Sequence, residues 1–404
     1  MKSPRLTQLL ALVFAFALGA AASRGLGVYE ARAEAVRPDL GLFWQAWDLA
    51  QREFVYRDAL QTQRMVYGAI RGMVDALGDD GHTRFLTPDE VKTERSSMRG
   101  QFEGIGAEVN LRAGRPVVIA PIEDSPAERA GLLAGDTIVM VDGDDVSALT
   151  LTELVARVRG PRGTVVKLTV IHPGESTTAE IEITREQVTV RSVTAALVPG
   201  TTIGHLRVNR FGPSTSKELV EAIKQLRADG ADRLVLDLRN NPGGLLHEAV
   251  SASSQFLRDG NVLLEEDAKG ERKPFPVEPG GIALDIPIAV LINRGSASAA
   301  EIFAGAIQDQ QRGPVVGERS FGTGTVLTPF NLDDGSQIYL GTSQWLTPAG
   351  RVIRKAGIQP DVAVQMPAGA RPISPREERT LPAEVLADRN DAQLRKAVAL
   401  LSAA

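Results

Sequence analysis

The chain has no cysteine in its 404 residues. That removes disulfides, thiolate metal ligands and thiol nucleophiles together, and it leaves serine, threonine, histidine, lysine and carboxylates as the groups available for chemistry. Histidine is scarce: His82, His172, His205 and His247 stand far apart, with no HExxH or comparable ligand spacing, so neither a metal nor another cofactor is expected. Positive charge is not in excess either. The formal net charge is −5 and no basic run compensates locally, so no nucleic acid is expected as a partner. Aromatics make up only 5%, but 43% hydrophobic and 24% charged residues are the proportions of a globular chain and argue against extensive disorder. A chain of this length outgrows a single core, which predicts two or more domains.

One long hydrophobic run is present, at the start. Lys2 and Arg5 precede an apolar stretch from Leu6 to Ala22, a basic region followed by a hydrophobic one, as in an export signal. Ala20, Ala21 and Ala22 offer small residues for cleavage, and the run is also long enough for an uncleaved anchor. Residues 1–25 are therefore expected to be a signal peptide or membrane anchor, placing the body outside the cytoplasm, secreted or membrane-anchored.

Further along, the pattern changes three times. Between 38 and 95, Leu42, Phe43, Trp47, Phe54, Met65, Ile70, Met73, Val74 and Leu77 fall largely at helical spacing, predicting an N-terminal helical subdomain with its aromatics in a core. Between 100 and 190 the chain reads as short alternating strands, at 117–120, 137–141, 165–171 and 179–184, with helices at 127–130 and 151–158. From 191 to 365 strands at 202–208, 233–237 and 286–292 alternate with helices at 214–229, 245–257 and 299–308, the signature of an α/β domain with a largely parallel sheet. The segment 366–404 is rich in proline and charge and is expected to be a helical tail, its last amphipathic helix at 392–401.

Two loops carry the candidate chemistry. Gly295-Ser-Ala-Ser-Ala-Ala-Glu-Ile leads from a buried strand into a helix, and Ser298 stands where free N–H groups and the positive end of the helix dipole stabilise an oxyanion. The same letters also spell a capping box, Ser298 with Glu301, which needs no catalytic role. Asp237-Leu-Arg-Asn-Asn-Pro-Gly-Gly is a second loop at a strand end, where open α/β sheets gather their sites. There Gly243 and Gly244 either present N–H groups to a carbonyl oxygen or form a plain turn.

These two motifs, with Phe321-Gly-Thr-Gly-Thr-Val and Gly357-Ile-Gln-Pro-Asp-Val, resemble the C-terminal processing peptidase, or tail-specific protease, family. Gly104-Ile-Gly-Ala, Ser125-Pro-Ala-Glu-Arg-Ala-Gly-Leu and Gly135-Asp-Thr-Ile-Val-Met-Val-Asp-Gly resemble a PDZ module. The resemblance implies an α/β peptidase core, a parallel-rich sheet with helices, carrying an inserted β-rich PDZ domain and an N-terminal helical segment. It implies that Ser298 is the nucleophile and that the backbone of Ala299 and of one glycine of the Gly243–Gly244 pair forms the oxyanion hole. The loop of Gly104, Ile105, Gly106 and Ala107 would bind the C-terminal carboxylate of a protein or peptide tail added as a strand.

The family pattern breaks at one place. The lysine that serves the family as general base falls on Thr323, a hydroxyl unable to take a proton near neutral pH, and the glutamine that usually follows is Leu327. Lys355 reads as a surface charge. His82 is the available substitute, since tricorn-type relatives of the family use a histidine just before the PDZ insertion; the other reading is a loop histidine fixing the junction. The expected function is an exported or membrane-anchored serine endopeptidase acting on C-terminal tails through Ser298. The alternative is an inactive pseudopeptidase that binds tails as a scaffold or sensor.

Overall fold

The run Ile-Ala-Val-Leu-Ile at 288–292 is apolar at every position, and every residue in it is buried, which is what a strand inside a sheet covered on both faces requires. It lies within a six-stranded sheet: β1 Val193–Leu197, β2 Ile203–Val208, β3 Arg233–Asp237, β4 Ile288–Ile292, β5 Val315–Gly317 and β6 Val362–Ala363, adjacent in that order. β1 is antiparallel to β2 and the remaining pairs are parallel. Helices α1 Thr215–Ala228, α2 Leu246–Ser254 and α3 Ala299–Asp309 connect successive strands. The strand period of two sorts the sheet residues into two cores. Leu206, Leu234, Leu236 and Val290 pack with Leu219, Ile223 and Phe303 of the connecting helices. Val235, Ala289, Leu291 and Val316 point the other way and are covered by Leu394, Ala397 and Leu401 of the last helix, α4 Ala392–Ala403. The C-terminal helix is thus a layer of the core.

The computed structural model describes residues 39–403 apart from 80, 81, 99, 113, 123, 369, 381, 383 and 385–388. The signal or anchor expected at 1–25 lies outside the described residues. Among the described residues no helix is long and apolar enough to cross a membrane.

A second sheet was not legible in the sequence. Strands Arg84–Leu86, Asn261–Asp267, Arg272–Pro276, Thr325–Asn331 and Gln337–Leu346 pair antiparallel. Their burial alternates irregularly, so they lack the clean period of two that marks a strand. This sheet matters for the site, because pairing of Arg84–Leu86 with Gln337–Leu346 fastens the segment after His82 to the peptidase domain.

The β-rich module has its own sheet, Ala107–Arg112, Arg115–Pro121, Thr137–Val141, Val165–Ile171 and Thr178–Thr184, and its own core of Ile105, Val118, Leu154, Val166 and Leu168. Helix Leu151–Val158 opens on a capping box, with Thr150 N–H donating to Glu153 at 2.8 Å and Glu153 N–H to the Thr150 hydroxyl at 3.3 Å. Ala107–Arg112 forms an edge of the sheet.

The described part of the first 66 residues forms helix Gly41–Glu53, a short 3-10 turn, Arg57–Ala59, and the start of helix Thr62–Asp75. Among the described residues the expected aromatic core is not found there: Leu42, Phe43 and Phe54 are exposed and Trp47 is half-buried. Of the predicted set Val74 is buried, while Met73 and Leu77 are exposed. Helical spacing assigns residues to one face, and it does not supply the element that would cover that face.

Candidate active site

Two strand-to-helix turns meet at the ends of β3 and β4. Asn240 N–H donates to Asn293 Oδ1 and Asn293 Nδ2 donates back to Asn240 Oδ1, each at 2.9 Å. Asn241 tightens the joint. Its carbonyl accepts from Ala297 N–H at 2.9 Å and its side chain donates to the Val208 carbonyl at 2.7 Å. Ser296, fully buried, receives Asn293 N–H at 3.0 Å and donates to the Leu238 carbonyl at 2.8 Å.

Ser298 sits between β4 and α3 with φ 54° and ψ −118°, a left-handed backbone that costs a residue with a Cβ about 1–3 kcal/mol. A strained strand-to-helix turn of this kind lifts a nucleophile hydroxyl clear of its neighbours. Ser298 and Glu301 occupy the positions of a capping box and make its reciprocal bond. Ser298 N–H donates to Glu301 Oε2 at 2.9 Å, and Glu301 N–H bonds the Ser298 carbonyl at 2.8 Å beside the half-buried hydroxyl.

The glycine pair divides its labour. Gly243 N–H is committed to Asn241 Oδ1 at 2.8 Å, so Gly243 is not the free oxyanion donor. Its contribution is emptiness: a Cβ at 243 would stand 2.6 Å from Ser298 Cβ and 3.0 Å from Ala299 N. The N–H groups of Gly244 and Ala299 have no acceptor among the described residues, which leaves these two as the donors beside Ser298. Gly244 is held by Phe211, whose N–H bonds the Gly243 carbonyl at 2.9 Å and whose carbonyl accepts Leu245 N–H at 2.8 Å.

Glu301 was not singled out in the sequence except as a cap, yet it joins three segments. It is 1% exposed, and its carboxylate also accepts Ser320 Oγ and Gly322 N–H, each at 2.6 Å, and Thr323 N–H at 2.9 Å. Ser298 and Thr323 therefore donate to the same oxygen. Thr323 is 7% exposed, and among the described residues no lysine amine donates to Glu301 beside it. Lys355 is exposed; its N–H bonds the Gly322 carbonyl at 2.8 Å, so its backbone, rather than its ammonium, packs against this loop.

His82 is placed against Phe321 and Asp79. Its ring meets that of Phe321 edge-on at 6.1 Å, and Phe321 N–H bonds the Ser296 carbonyl at 2.9 Å. His82 Nδ1 is 3.7 Å from Asp79 Oδ1, too long for a hydrogen bond, and His82 makes none to Ser298. Burial works against the charge on Asp79, but hydrogen bonds from Arg354, at 2.7 Å, and Thr83, at 2.8 Å, outweigh it and hold the carboxyl below its usual range.

In the β-rich module the residues Gly104, Ile105 and Gly106 are buried. Ala127 N–H bonds the Ile105 carbonyl, and both Ile122 N–H and Ser125 Oγ bond that of Gly106, each at 2.8 Å. The N–H groups of Ile105 and Gly106 have no acceptor among the described residues, and the loop leads directly into the edge strand Ala107–Arg112. Gly106 has φ 78°, and a Cβ there would lie 2.4 Å from Ser125 Cβ, so only glycine fits.

Comparison with known proteins places this arrangement. Residues 202–364 match the model for peptidase family S41 and residues 117–171 that for the PDZ domain. The carboxyl-terminal-processing protease of Synechocystis is 37% identical over 328 residues, 80% of this chain and 76% of that protein. The carboxy-terminal processing protease CtpA of Bacillus subtilis is 36% identical over 316 residues, 78% and 67% of the two chains. This chain belongs to peptidase family S41. A crystal structure from Bacteroides fragilis, described as an S41 protease, shares the fold with a TM-score of 0.57 at 16% identity, covering 89% of this chain and 97% of its own.

In this S41 family member the turn at Ser298 lies beside the open N–H groups of Gly244 and Ala299, while the threonine at 323 departs from the lysine the family resemblance leads one to expect. Behind the site lies a buried ion network that sequence reasoning missed. Arg239, fully buried, donates to Asp237 at 2.7 and 2.9 Å and to Asp391 at 2.8 Å. His205, also fully buried, lies 2.8 Å from Glu378 and 3.3 Å from Asp237. Burial opposes charge on Asp237, but Arg239 and His205 hold its carboxyl far below the ordinary range. Among the described residues no three His, Asp or Glu side chains gather as metal ligands.

Proposed function

We propose that this chain is an exported serine endopeptidase that captures the unstructured C-terminal tails of proteins in its PDZ module and cleaves them through Ser298. The observation that carries this reading is the strained backbone of Ser298, which sets its hydroxyl beside the open N–H groups of Gly244 and Ala299. Ser298 Oγ attacks the scissile carbonyl carbon, forming a C–O bond, while His82 accepts the hydroxyl proton. The oxyanion takes hydrogen bonds from Gly244 and Ala299, and collapse breaks the C–N bond as His82 returns the proton to the leaving amine. Water then hydrolyses the acyl-enzyme by the same route. Because His82 faces Phe321 and Asp79, this mechanism requires the segment carrying His82 to close on Ser298 when a tail is bound. Export rests on Lys2 and Arg5 ahead of the apolar run from Leu6.

A specific observation favours a second reading: Thr323, where the family resemblance implies a lysine, is buried beside Glu301, as in a pseudopeptidase that only binds tails. Labelling of protein lacking residues 1–25 by a fluorophosphonate separates the two. The peptidase reading expects labelling that Ser298→Ala abolishes, that His82→Ala slows by at least a hundredfold and that Thr323→Ala leaves unchanged. No labelling of the parent, with labelling gained in Thr323→Lys, establishes the second reading. Labelling undiminished by His82→Ala removes the histidine from the mechanism.

A further inference from the structure

Between the β-rich module, the six-stranded sheet and the C-terminal segment lies a cavity of about 540 Å³. Its charged lining, among the described residues, is Arg207, Arg371, Arg376 and Arg389 against Glu108 and Glu377. The lining also includes Asn240, whose side chain joins the two strand-to-helix turns of the site around Ser298.

The fold neutralises only part of that charge. Glu377 accepts both terminal nitrogens of Arg371, at 2.6 and 3.2 Å, and Ser374 N–H at 3.0 Å. Arg376 is bonded to the Pro121 carbonyl and, at 3.0 Å, to Glu128, which is not in the lining. Arg389 stands 4.0 Å from Glu377, beyond hydrogen-bond reach. Arg207 is left over. It lies in β2 between Thr194 of β1 and Asp237 of β3, is half-buried, and makes no side-chain hydrogen bond or ion pair among the described residues. Asp237, whose charge burial opposes and Arg239 and His205 stabilise through hydrogen bonds, feels Arg207 only as a weaker attraction, so the buried ion network does not consume it. Its Nε is buried without a partner, and a buried donor in that state calls for an acceptor from outside the protein.

We infer that this cavity takes a compact oxyanion of the phosphate class carrying two or more negative charges, held by the guanidinium groups of Arg207 and Arg389. Planar guanidinium forks match such an anion in two-point contact, and Thr194, directly across from Arg207 and on the same face of the sheet, adds a hydroxyl. The volume suits a small molecule. Exposed Glu108 on the edge strand of the module repels a long acidic chain crossing it, which favours a compact ligand. An anion seated there touches the sheet through Arg207 and lies beside Arg376, which is bonded to the module, so it ties the two together as an effector would.

The test is calorimetric titration of the full-length chain, in a neutral detergent, with sodium pyrophosphate at an ionic strength held constant by sodium chloride. The parent is expected to show one saturable site per chain, and hydrogen exchange should show residues 371–380 protected when it fills. Arg207→Gln should weaken binding roughly tenfold and Arg389→Gln about threefold. Arg162→Gln, the same change of charge on an exposed residue outside the lining, should leave it unaltered. Melting curves without pyrophosphate show which variants are folded; if Arg207→Gln is not, Arg389→Gln decides. A parent with no saturable binding, protection confined to other segments, or parental affinity in the folded variants of Arg207 and Arg389 overturns the site.

Discussion

Ser298 and Gly243 show how little room the site leaves. The serine keeps a left-handed backbone because its neighbours over-determine it, and Gly243 keeps the space that the serine Cβ needs. Gly243→Ala must place a methyl 2.8 Å from the Ala297 carbonyl and 2.6 Å from Ser298 Cβ at a φ of 98°. We expect this variant to lose fluorophosphonate labelling by at least a hundredfold and to melt lower, since the left-handed backbone alone costs about 1–3 kcal/mol. Labelling at the parental rate would show that Ser298 tolerates displacement and that the turn is not poised as described. The same crowding explains why the two glycines could be told apart only in three dimensions. Two adjacent glycines are equivalent as letters, yet the Asn241 side chain occupies one N–H and leaves the other open.

The turn between β4 and α3 and the loop at 320–324 are held in register by one carboxylate. Glu301 receives four donors, two of them from the backbone of the segment that includes Thr323. Glu301→Gln replaces one acceptor oxygen by an NH2 and sets donor against donor, which costs about 1–3 kcal/mol for each N–H or O–H left buried and unpaired. We expect a lower melting temperature and labelling slowed at least tenfold, with Glu301→Ala more severe in both. Unchanged labelling in Glu301→Gln would mean that the two segments are positioned by packing alone. The elements themselves were largely legible: β2, β3, β4 and their helices announce themselves by buried runs and helical spacing, and the small residues around Ser298 mark a tight turn. The antiparallel sheet that includes Gln337–Leu346 was not, because its strands are half-exposed and irregular. Nor was the exposure of Phe43 and Phe54, because amphipathicity does not name the partner of a face.

Across the molecule, the C-terminal segment is wired into the sheet behind the active site. Asp391 pairs with Arg239, and Glu378 with His205, from 152 and 173 residues away. Arg376, just before Glu378, reaches the PDZ module, bonding the Pro121 carbonyl and, at 3.0 Å, Glu128. Burial disfavours charge on His205, but Glu378 and Asp237 overcome it and raise the imidazole to about 9. A folded-state value above the unfolded 6.5 means that this contribution to stability is complete below about pH 6.5 and disappears as pH rises through 9. The effect is on the order of 3 kcal/mol. Melting curves between pH 6 and 10 should therefore decline in the parent, and His205→Gln should flatten that decline while lowering the melting temperature throughout. An equal slope in both proteins would show that His205 is not the group that titrates.

Much about this protein follows from local order along the chain. The export-like start, the succession of helical, β-rich and α/β segments, the serine turn, the glycine pair and the threonine at 323 are short-range features, set by sterics and periodicity over a few residues. Which N–H groups stay open, which carboxylate ties Ser298 to Thr323, and which acids neutralise Arg239 and His205 could be settled only by folding. Those partners lie up to 173 residues apart, and burial gives a charge its meaning only once the surrounding water has been removed.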